Sequence, residues 1–397
     1  MVKSARFMVI FLFFASWLNA QAEVTRLGVL QGSPEHASAL SQAGIDLVVF
    51  DVSWQRFEPK EGEVDPIYLK EVLRALQTFQ DLGMEVILDL GMQYPPAWLF
   101  EIPQSRYQNQ YGDIFIDQRP GMHIANSIFN KRVRMRQNQY IKQLFASLGS
   151  DFYAVRLGGG WYGELNYPPN TYEEKDNCYW AFDANAQGKQ PGLPEGIPVC
   201  PVPGWVPGRQ PVDSARAELF LEWYLSALQN YHDWQIETVR RYYQGDLLML
   251  YPSWGIRPGQ AAQAVEGGLS GDTPAEQNGE VQRGFDFARF ISGIRDPKVI
   301  LHTTWADSDP RFGNDDGLDP SGWSPLRFLS SLAEKHPLPL RVSGENTGGG
   351  GSKIMALCAE RSAHYQASIF LWAFESDLFK ADAPGPRELK NSFPASQ

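Results

Sequence analysis

The feature that most constrains the fold of this chain is a repeated alternation of short apolar runs with longer amphipathic ones. Eight short runs are apolar or rich in β-branched residues and end at Gly, Pro or polar residues, which is typical of strands: RLGVLQG, IDLVVFDVSW, MEVILDLGMQ, FYAVRLGGG, DLLMLYPSW, KVILHTTW, LPLRVSGE and ASIFLWAF. Between them, apolar residues recur at spacings of three and four, which predicts helices, in DPIYLKEVLRALQTFQDLG, RVRMRQNQYIKQLFASLG, AELFLEWYLSALQNYHDWQIETVRRYY and SPLRFLSSLAEKH.

This alternation predicts an α/β fold, a single (β/α)8 TIM barrel. Continuously apolar strands suit a parallel sheet that is buried on both faces by helices, and eight such units make a barrel of typical size. A doubly wound open sheet is the alternative. It is disfavoured because GSPEHAS, after the first predicted strand, lacks the glycine spacing of a dinucleotide-binding turn.

The first 22 residues are expected to lie outside the barrel. Basic residues precede an apolar run over 7–18, and small residues follow it, which is the layout of a secretory signal cut after Ala22. The run is shorter than the roughly 20 residues that span a bilayer, so a signal is favoured over an anchoring helix. We therefore expect residues 23–397 to form an exported protein, periplasmic or secreted, with no membrane anchor.

Composition limits the ligands that such a chain can attract. With 397 residues and 43% hydrophobic residues, the chain can bury a large core. A formal net charge of −11 disfavours nucleic acid and anionic membranes as partners, because neither is attracted over long range. The same charge mildly disfavours sulfated polysaccharides, unless a local basic groove overrides it. The 12 Trp and 16 Tyr favour a ligand with apolar faces, although most of these rings are expected in the core.

Three cysteines raise the question of a disulfide. Cys178 and Cys200 flank a Pro- and Gly-rich stretch, and a bridge between them is compatible with an oxidising compartment. Cys358 lies in a helical pattern and is expected to be buried. No His lies near a Cys at ligand spacing, which disfavours a zinc site, and no metal or cofactor is predicted. The segment 170–210, after the fourth strand, is expected to be an ordered insert that shapes the binding site, rather than a floppy surface loop.

Two glutamates stand out where a barrel of this kind carries its chemistry, at the carboxyl ends of the strands. Glu164, in YGEL, follows the fourth predicted strand, and Glu345, in SGEN, follows the seventh. Strands four and seven lie on opposite sides of an eight-stranded barrel, so the two carboxyl groups should face each other across its mouth. Hydrolysis of a glycosidic bond requires such a pair of carboxyl groups. The structural alternative is that each glutamate pairs with an arginine to close the barrel.

The local sequence assigns different roles to the two glutamates. Glu164 has Trp161 and Tyr162 as neighbours, and apolar rings raise the pKa of a carboxyl group by desolvating its charged form. Glu345 is followed by Asn346 and, shortly after, by a run of glycines, whose polar groups favour the ionised form. We therefore expect Glu164 to be the general acid and Glu345 the anion. The glycine run is not a phosphate loop, because no Lys and Ser/Thr follow it at the required spacing.

A sugar is the expected ligand. One face of a pyranose packs on aromatic rings, while its hydroxyl groups bond to polar side chains. An oligosaccharide or polysaccharide is therefore the expected partner. The residues expected to bind it are Asp51, Trp54, Trp161, Tyr162, Asn166, Trp254, Trp305, Asn346 and Trp372.

Several motifs resemble glycoside hydrolase clan A, the retaining (β/α)8 enzymes. These are the two glutamates, FLWAF at the eighth strand and WQRFEPKEGEVD after the second. YPPAWLFEIP and HIANSIFNKRVRMRQNQYI resemble the family 42 β-galactosidases of that clan. The resemblance implies a retaining hydrolase of β-linked galactosides or related oligosaccharides. In it, Glu164 is the acid/base, Glu345 the nucleophile and Trp372 the platform under the sugar.

Two other functions stay open. Clan A enzymes usually have Asn immediately before the acid/base, whereas this chain has Gly163. YGELNYP and SGEN instead resemble motifs of the family 14 β-amylases, which invert and act on α-glucans. In that case Glu345 is a general base. The third possibility, a sugar-binding barrel without activity, predicts loss of a glutamate and is disfavoured because both are present.

Overall fold

The computed structural model describes residues 25–117, 119, 123–308 and 315–393, so the expected signal segment lies outside the described residues. Eight parallel strands form a closed barrel in sequential order, and the first strand pairs with the eighth. The predicted (β/α)8 barrel is confirmed. The strands are β1 Arg26–Val29, β2 Leu47–Asp51, β3 Glu85–Asp89, β4 Ala154–Leu157, β5 Asp246–Tyr251, β6 Val299–Thr303, β7 Arg341–Glu345 and β8 Ile369–Trp372.

Helices connect and surround the strands. Each of the four predicted helical patterns overlaps one long helix, and two of these helices begin one to three residues before the pattern. Within the described ranges, no helix combines the length and the apolar character needed to cross a bilayer. The α-helices are α1 Ala37–Ala43, α2 Trp54–Phe57, α3 Pro66–Asp81, α4 Lys131–Leu148, α5 Ser214–Arg240, α6 Gln260–Glu266, α7 Pro274–Gln277, α8 Glu280–Arg283, α9 Phe287–Gly293, α10 Pro325–Lys335, α11 Ser352–His364 and α12 Gly385–Ser392.

The long helices begin where the sequence supplies a capping side chain. The carboxylate of Asp65 accepts hydrogen bonds from two backbone N–H groups of α3, and Pro66 occupies the first helical position. Asn130 caps α4 in the same way, and Asp213 caps α5. Each cap satisfies N–H groups that have no partner inside the helix, typically worth about 1 kcal/mol.

The barrel interior changes from apolar to charged along the strands. Because side chains alternate along a strand, every second residue faces inward. Asp51, Asp89 and Arg156 occupy the next inward positions of β2, β3 and β4, and the strand register places them side by side. The charged layer therefore lies at the carboxyl end of the barrel. The apolar layers below it consist of Leu30, Leu47, Val49, Ile87, Ala154, Leu248, Ile300, Ile369, Leu371 and Ala373.

The insert after β4 packs on the outside of the barrel, and its cysteines are free. The backbone N–H of Trp180 donates to the Tyr224 hydroxyl of α5 at 3.2 Å. Cys178 and Cys200 are both buried and unbridged, so the disulfide considered above is wrong. The Cys178 sulfur lies 3.6 Å from Asn109 Nδ2 instead. Burial raises the pKa of Cys178 to about 11, which keeps it a thiol at neutral pH.

Candidate active site

A cavity of about 460 Å³ opens at the carboxyl ends of the strands. Loops after several strands contribute to its wall, as expected for this fold. Four carboxyl groups and two guanidinium groups line it, from Asp51, Asp89, Glu164, Glu345, Arg156 and Arg283. The cavity thus concentrates ionisable groups at the site where the sequence places the two glutamates.

A tight turn after β4 carries Glu164 to the cavity. The N–H of Gly159 donates to the Gly163 carbonyl at 3.0 Å, and the N–H of Gly160 donates to the Glu164 carbonyl at 2.8 Å. Tyr162 and Gly163 both have positive φ, at 61° and 78°. A side chain at Gly158 would lie 2.2 Å from the Gly163 carbonyl oxygen, so the turn closes only with glycine there.

Glu164 lies in an environment that raises its pKa towards neutral pH. Its Oε1 accepts from Thr304 Oγ1 at 2.9 Å, and its Oε2 accepts from Asn166 Nδ2 at 3.2 Å. The nearest cation is Arg283, whose Nη2 is 3.7 Å from Oε2, beyond hydrogen-bond contact. Burial raises the pKa of Glu164 to about 7, against the opposing effects of Arg283 and Thr304. A carboxyl group in this state can donate a proton.

Glu345 has partners that keep it ionised. Arg156 Nη2 contacts both carboxylate oxygens, at 2.8 and 2.9 Å, and His302 Nε2 lies 2.9 Å from Oε2. Burial opposes ionisation, but the charge of Arg156 and the bond from His302 outweigh it and hold the pKa of Glu345 below its ordinary value.

His302 acts here as a neutral donor. Its side chain is fully buried, and burial lowers its pKa. Because the Glu345 carboxylate can only accept, the ring proton must be on Nε2, and Nδ1 then accepts from Ser343 Oγ at 2.8 Å. The chain Ser343–His302–Glu345 therefore orients one carboxylate oxygen.

Asp51 is a third unusual acid in the cavity. Burial, reinforced by the nearby Asp89, raises the pKa of Asp51 to about 8. Its Oδ1 is buried and makes no hydrogen bond within the described part of the chain. Asp89 is instead held by the N–H of Gly91 at 2.8 Å and by Gln93 Nε2 at 3.3 Å. Asp51, when protonated, can therefore donate a hydrogen bond to a sugar hydroxyl group and accept one from it.

The structure brings four of the residues expected to bind sugar to the cavity wall: Asp51, Tyr162, Trp305 and Asn346. Asn346 also links β7 to β8, since its Oδ1 accepts from the N–H of Ala373 at 2.8 Å. Two further expected residues support the Glu164 turn from behind. Asn166 Oδ1 accepts from the N–H of Trp161 at 2.9 Å, and the Trp161 ring donates to Asp117 at 2.7 Å.

Three expected tryptophans do not line the cavity. Trp54 is fully buried and stacks on Tyr140, with ring centroids 4.8 Å apart. Trp254 is 8% exposed and packs edge-on against Trp305. Trp372 is 1% exposed and packs among the outer core residues, because side chains alternate along β8 and its neighbour faces the barrel interior.

The aromatic residue that β8 does supply to the cavity is Phe374, two positions further on. Its side chain is 36% exposed, it lines the wall, and it follows a cis peptide bond.

None of the lining residues comes from the insert over 170–210, contrary to the expectation that the insert shapes the site. A larger open groove of about 800 Å³ beside the insert shares no lining residue with the cavity.

Sequence reasoning missed several polar groups of the site. Arg156 and His302 lie inside the strand-like runs AVRL and VILHT, where a charged or polar residue in an apolar strand was a usable signal. Thr304, a polar residue just after β6, carried no such signal. Arg283 carried none either, because it comes from a short helix between β5 and β6. Among the described residues, no cluster of three or more His, Cys, Asp or Glu side chains could hold a metal ion.

The closed barrel, with two glutamates whose pKa values are shifted in opposite directions in one cavity, has the architecture of the (β/α)8 glycoside hydrolases. The family model of the family 42 glycoside hydrolases, described as β-galactosidase, matches residues 31–148. This match supports assignment to the O-glycosyl hydrolases. It ends before Glu164, so it bears on neither glutamate. A search of curated proteins gave no significant match.

Solved structures with the same fold include both enzyme types that the motifs resemble. The catalytic domain of a β-amylase from Paenibacillus polymyxa matches with a TM-score of 0.67 and 14% identity, covering 93% of this chain and 98% of its own. A β-galactosidase from Marinomonas ef1 matches with a TM-score of 0.58 and 14% identity, covering 93% of this chain but 58% of its own. A β-galactosidase from Halorubrum lacusprofundi matches with a TM-score of 0.55 and 14% identity, covering 93% of this chain and 57% of its own. This chain therefore spans little more than half of the β-galactosidase chains.

Proposed function

We propose that the protein hydrolyses glycosidic bonds of oligosaccharides, with Glu164 as general acid and Glu345 as the anionic partner. The observation that carries this proposal is the opposite pKa shift of two carboxyl groups in one cavity. The pKa of Glu164 is raised to about 7, and that of Glu345 is lowered. Two titratable groups with pKa values pushed apart are the usual basis of an acid and base assignment.

A retaining mechanism on β-linked galactosides is the first candidate, supported by the family 42 match. Glu164 donates its proton to the glycosidic oxygen as that bond breaks, and a Glu345 oxygen bonds to the anomeric carbon. Glu164, now ionised, then removes a proton from water, and the hydroxide displaces Glu345. The contacts from Arg156 and His302 hold the attacking carboxylate in place and keep it charged.

An inverting mechanism on α-glucans is the second candidate. It is favoured by Gly163, which stands where clan A enzymes carry Asn, and by the superposition on nearly the full length of a β-amylase catalytic domain. Here Glu345 removes a proton from the water that attacks the anomeric carbon, and no covalent intermediate forms. In either case we propose that the enzyme works after export, as the first 22 residues predict.

Proton NMR of the first product tests the proposal and separates the candidates. β-Galactosides and malto-oligosaccharides are incubated with the protein, with Glu164→Gln and Glu345→Gln as inactive controls. A β-galactoside that yields β-galactose supports the retaining candidate, whereas an α-glucan that yields a β-anomer supports the inverting one. Absence of hydrolysis across a broad panel of glycosides would reject the proposed function.

A further inference from the structure

One cationic group in the cavity has no role in the hydrolysis described above. Arg283 is the last residue of α8, and its side chain is 15% exposed where it lines the cavity wall. Its Nε and Nη2 atoms are buried and donate no hydrogen bond within the described part of the chain. Buried guanidinium donors are normally satisfied, so these atoms indicate an acceptor that arrives from outside.

No neighbouring acid accepts a hydrogen bond from these donors. Glu164 lies within ion-pair distance, 3.7 Å from Nη2, but this is too long for a hydrogen bond, and a general acid carries its proton when the substrate binds. Glu280, on the same helix, is occupied by the N–H of Gly255 at 2.7 Å and by the hydroxyl of Ser253. The Nε and Nη2 donors of Arg283 are therefore left without a hydrogen-bond acceptor, although the Glu164 carboxyl group lies within ion-pair distance.

Aromatic rings hold this guanidinium in place. It lies 4.8 Å from the centroid of the Phe285 ring and 5.3 Å from that of Trp161. Rings fix the plane of an arginine by cation–π contact but provide no acceptor in that plane. The Nε and Nη2 groups of Arg283 are thus oriented in advance and donate to no acceptor in the described part of the chain.

The position of Arg283 relative to the two glutamates identifies the part of the substrate it meets. Arg156 donates hydrogen bonds to both oxygens of Glu345, the group that acts at the anomeric carbon. Arg283 lies beside Glu164, which protonates the leaving-group oxygen. The general acid acts on the oxygen that the leaving-group sugar carries away, so a side chain beside it can reach that sugar.

We propose that Arg283 binds the carboxylate of an acidic leaving-group sugar, a hexuronate, so that the enzyme acts on acidic oligosaccharides. A guanidinium and a carboxylate form two parallel hydrogen bonds, which gives both affinity and orientation. This local positive group overrides the repulsion that a net charge of −11 imposes on anionic sugars at long range. The inference rests on the proposed function, because the leaving-group side is defined by the role of Glu164.

Calorimetric titration with D-galacturonate, D-galactose 6-sulfate and D-galactose tests the inference, because none of these monosaccharides can be cleaved. We expect galacturonate to bind about tenfold or more tightly than galactose. Arg283→Met should abolish this preference, and Arg283→Lys should retain part of it. Arg56→Gln is the matched control: it removes one positive charge from a side chain that is 56% exposed and outside the cavity, and should change nothing.

Three outcomes would overturn the inference: equal binding of galacturonate and galactose, an unchanged preference in Arg283→Met, or a preference for the sulfate over the carboxylate. Thermal melting of each variant shows whether it has folded, and the lysine variant remains informative if the methionine variant has not. Failure of the proposed function looks different. It would leave all glycosides uncleaved, while an Arg283-dependent preference for galacturonate in the titration would still support the binding site.

Discussion

Glu164 and Glu345 have the same side chain, yet their surroundings give them opposite charge states. Glu164 receives hydrogen bonds from a neutral hydroxyl and a neutral amide, which cannot offset its burial. Glu345 is equally enclosed but contacts a guanidinium through both oxygens.

Activity requires Glu164 to be protonated and Glu345 to be ionised. It should therefore be present between the lowered pKa of Glu345 and about pH 7, and be lost as pH rises through the pKa of Glu164.

Replacing His302 tests how the charge on Glu345 is maintained. His302→Phe keeps a buried ring but removes the donor to Oε2, so the pKa of Glu345 should rise. We expect the acidic limb of the kcat/KM profile to move up by about one to two pH units, because a hydrogen bond to a charged group is worth ~1.5–3 kcal/mol. The basic limb, set by Glu164, should not move.

The exposed His364 provides the control for this experiment. His364→Gln should leave both limbs where they are in the parent protein. If the acidic limb of His302→Phe coincided with that of the parent, His302 would have no part in ionising Glu345.

How far individual residues could be predicted depends on how directly their chemistry shows in the sequence. The two glutamates were predicted because acids after glycine at strand ends are conspicuous. Trp372 was misplaced because its orientation depends on the phase of alternation in β8, and the sequence does not show which of two adjacent apolar residues faces inward. Arg283 was missed because its place in the cavity depends on a long-range packing contact.

At the scale of elements, the turn between Gly158 and Glu164 determines whether the acid reaches the cavity. The positive φ of Tyr162, which is not a glycine, marks a strained position in this turn, and such positions collect at functional sites. The sequence predicted the strand and the glutamate. It did not predict the closure of the turn, which depends on contacts between backbone atoms.

Gly158→Ala tests the turn. The new Cβ would meet the Gly163 carbonyl oxygen at 2.2 Å, so the backbone must shift and move Glu164. We expect a loss of about 1–3 kcal/mol in the free energy of unfolding, from denaturant titration, and a fall in kcat of tenfold or more. Gly351→Ala is the control, because a Cβ there meets nothing within 4 Å. A fully active Gly158→Ala protein would show that the close approach does not hold the acid.

At the scale of the whole molecule, the barrel was predictable because its strands are short, apolar and regularly spaced. The insert was recognised as a segment, but its packing against α5 and its free cysteines were not predicted. The arrangement of an irregular segment depends on tertiary contacts, and its local sequence carries little of that information. The sequence likewise did not predict which acidic side chains are buried.

Those buried acids make the stability of the folded protein depend on pH. Burial raises the pKa of Glu280 to about 7, and Asp51 and Glu164 are raised as well. The folded state therefore retains protons that the unfolded state has released. This stabilisation is fully present below the unfolded pKa, near 4.5, and is lost as pH rises through the folded pKa.

We accordingly expect the free energy of unfolding to be several kcal/mol lower at pH 8.5 than at pH 5.5, by denaturant titration. Glu280→Gln cannot ionise, so it should reduce this difference by roughly 2 kcal/mol. Glu266→Gln, on the exposed face of α6, should leave the difference unchanged. A free energy of unfolding that increased from pH 5.5 to 8.5 would contradict the assignment of these acids as protonated.

The central claim, that Glu164 is the acid and Glu345 the anionic partner, is tested most directly by the leaving-group dependence of the first turnover. Rates are compared for a phenyl and a 2,4-dinitrophenyl glycoside of the sugar that the enzyme prefers. Glu164→Gln should lose about 10²–10⁴-fold on the phenyl glycoside and little on the dinitrophenyl one, whose leaving group needs no proton. Glu345→Gln should lose activity on both. The reverse pattern, or either variant within a few-fold of the parent on both substrates, would contradict the account.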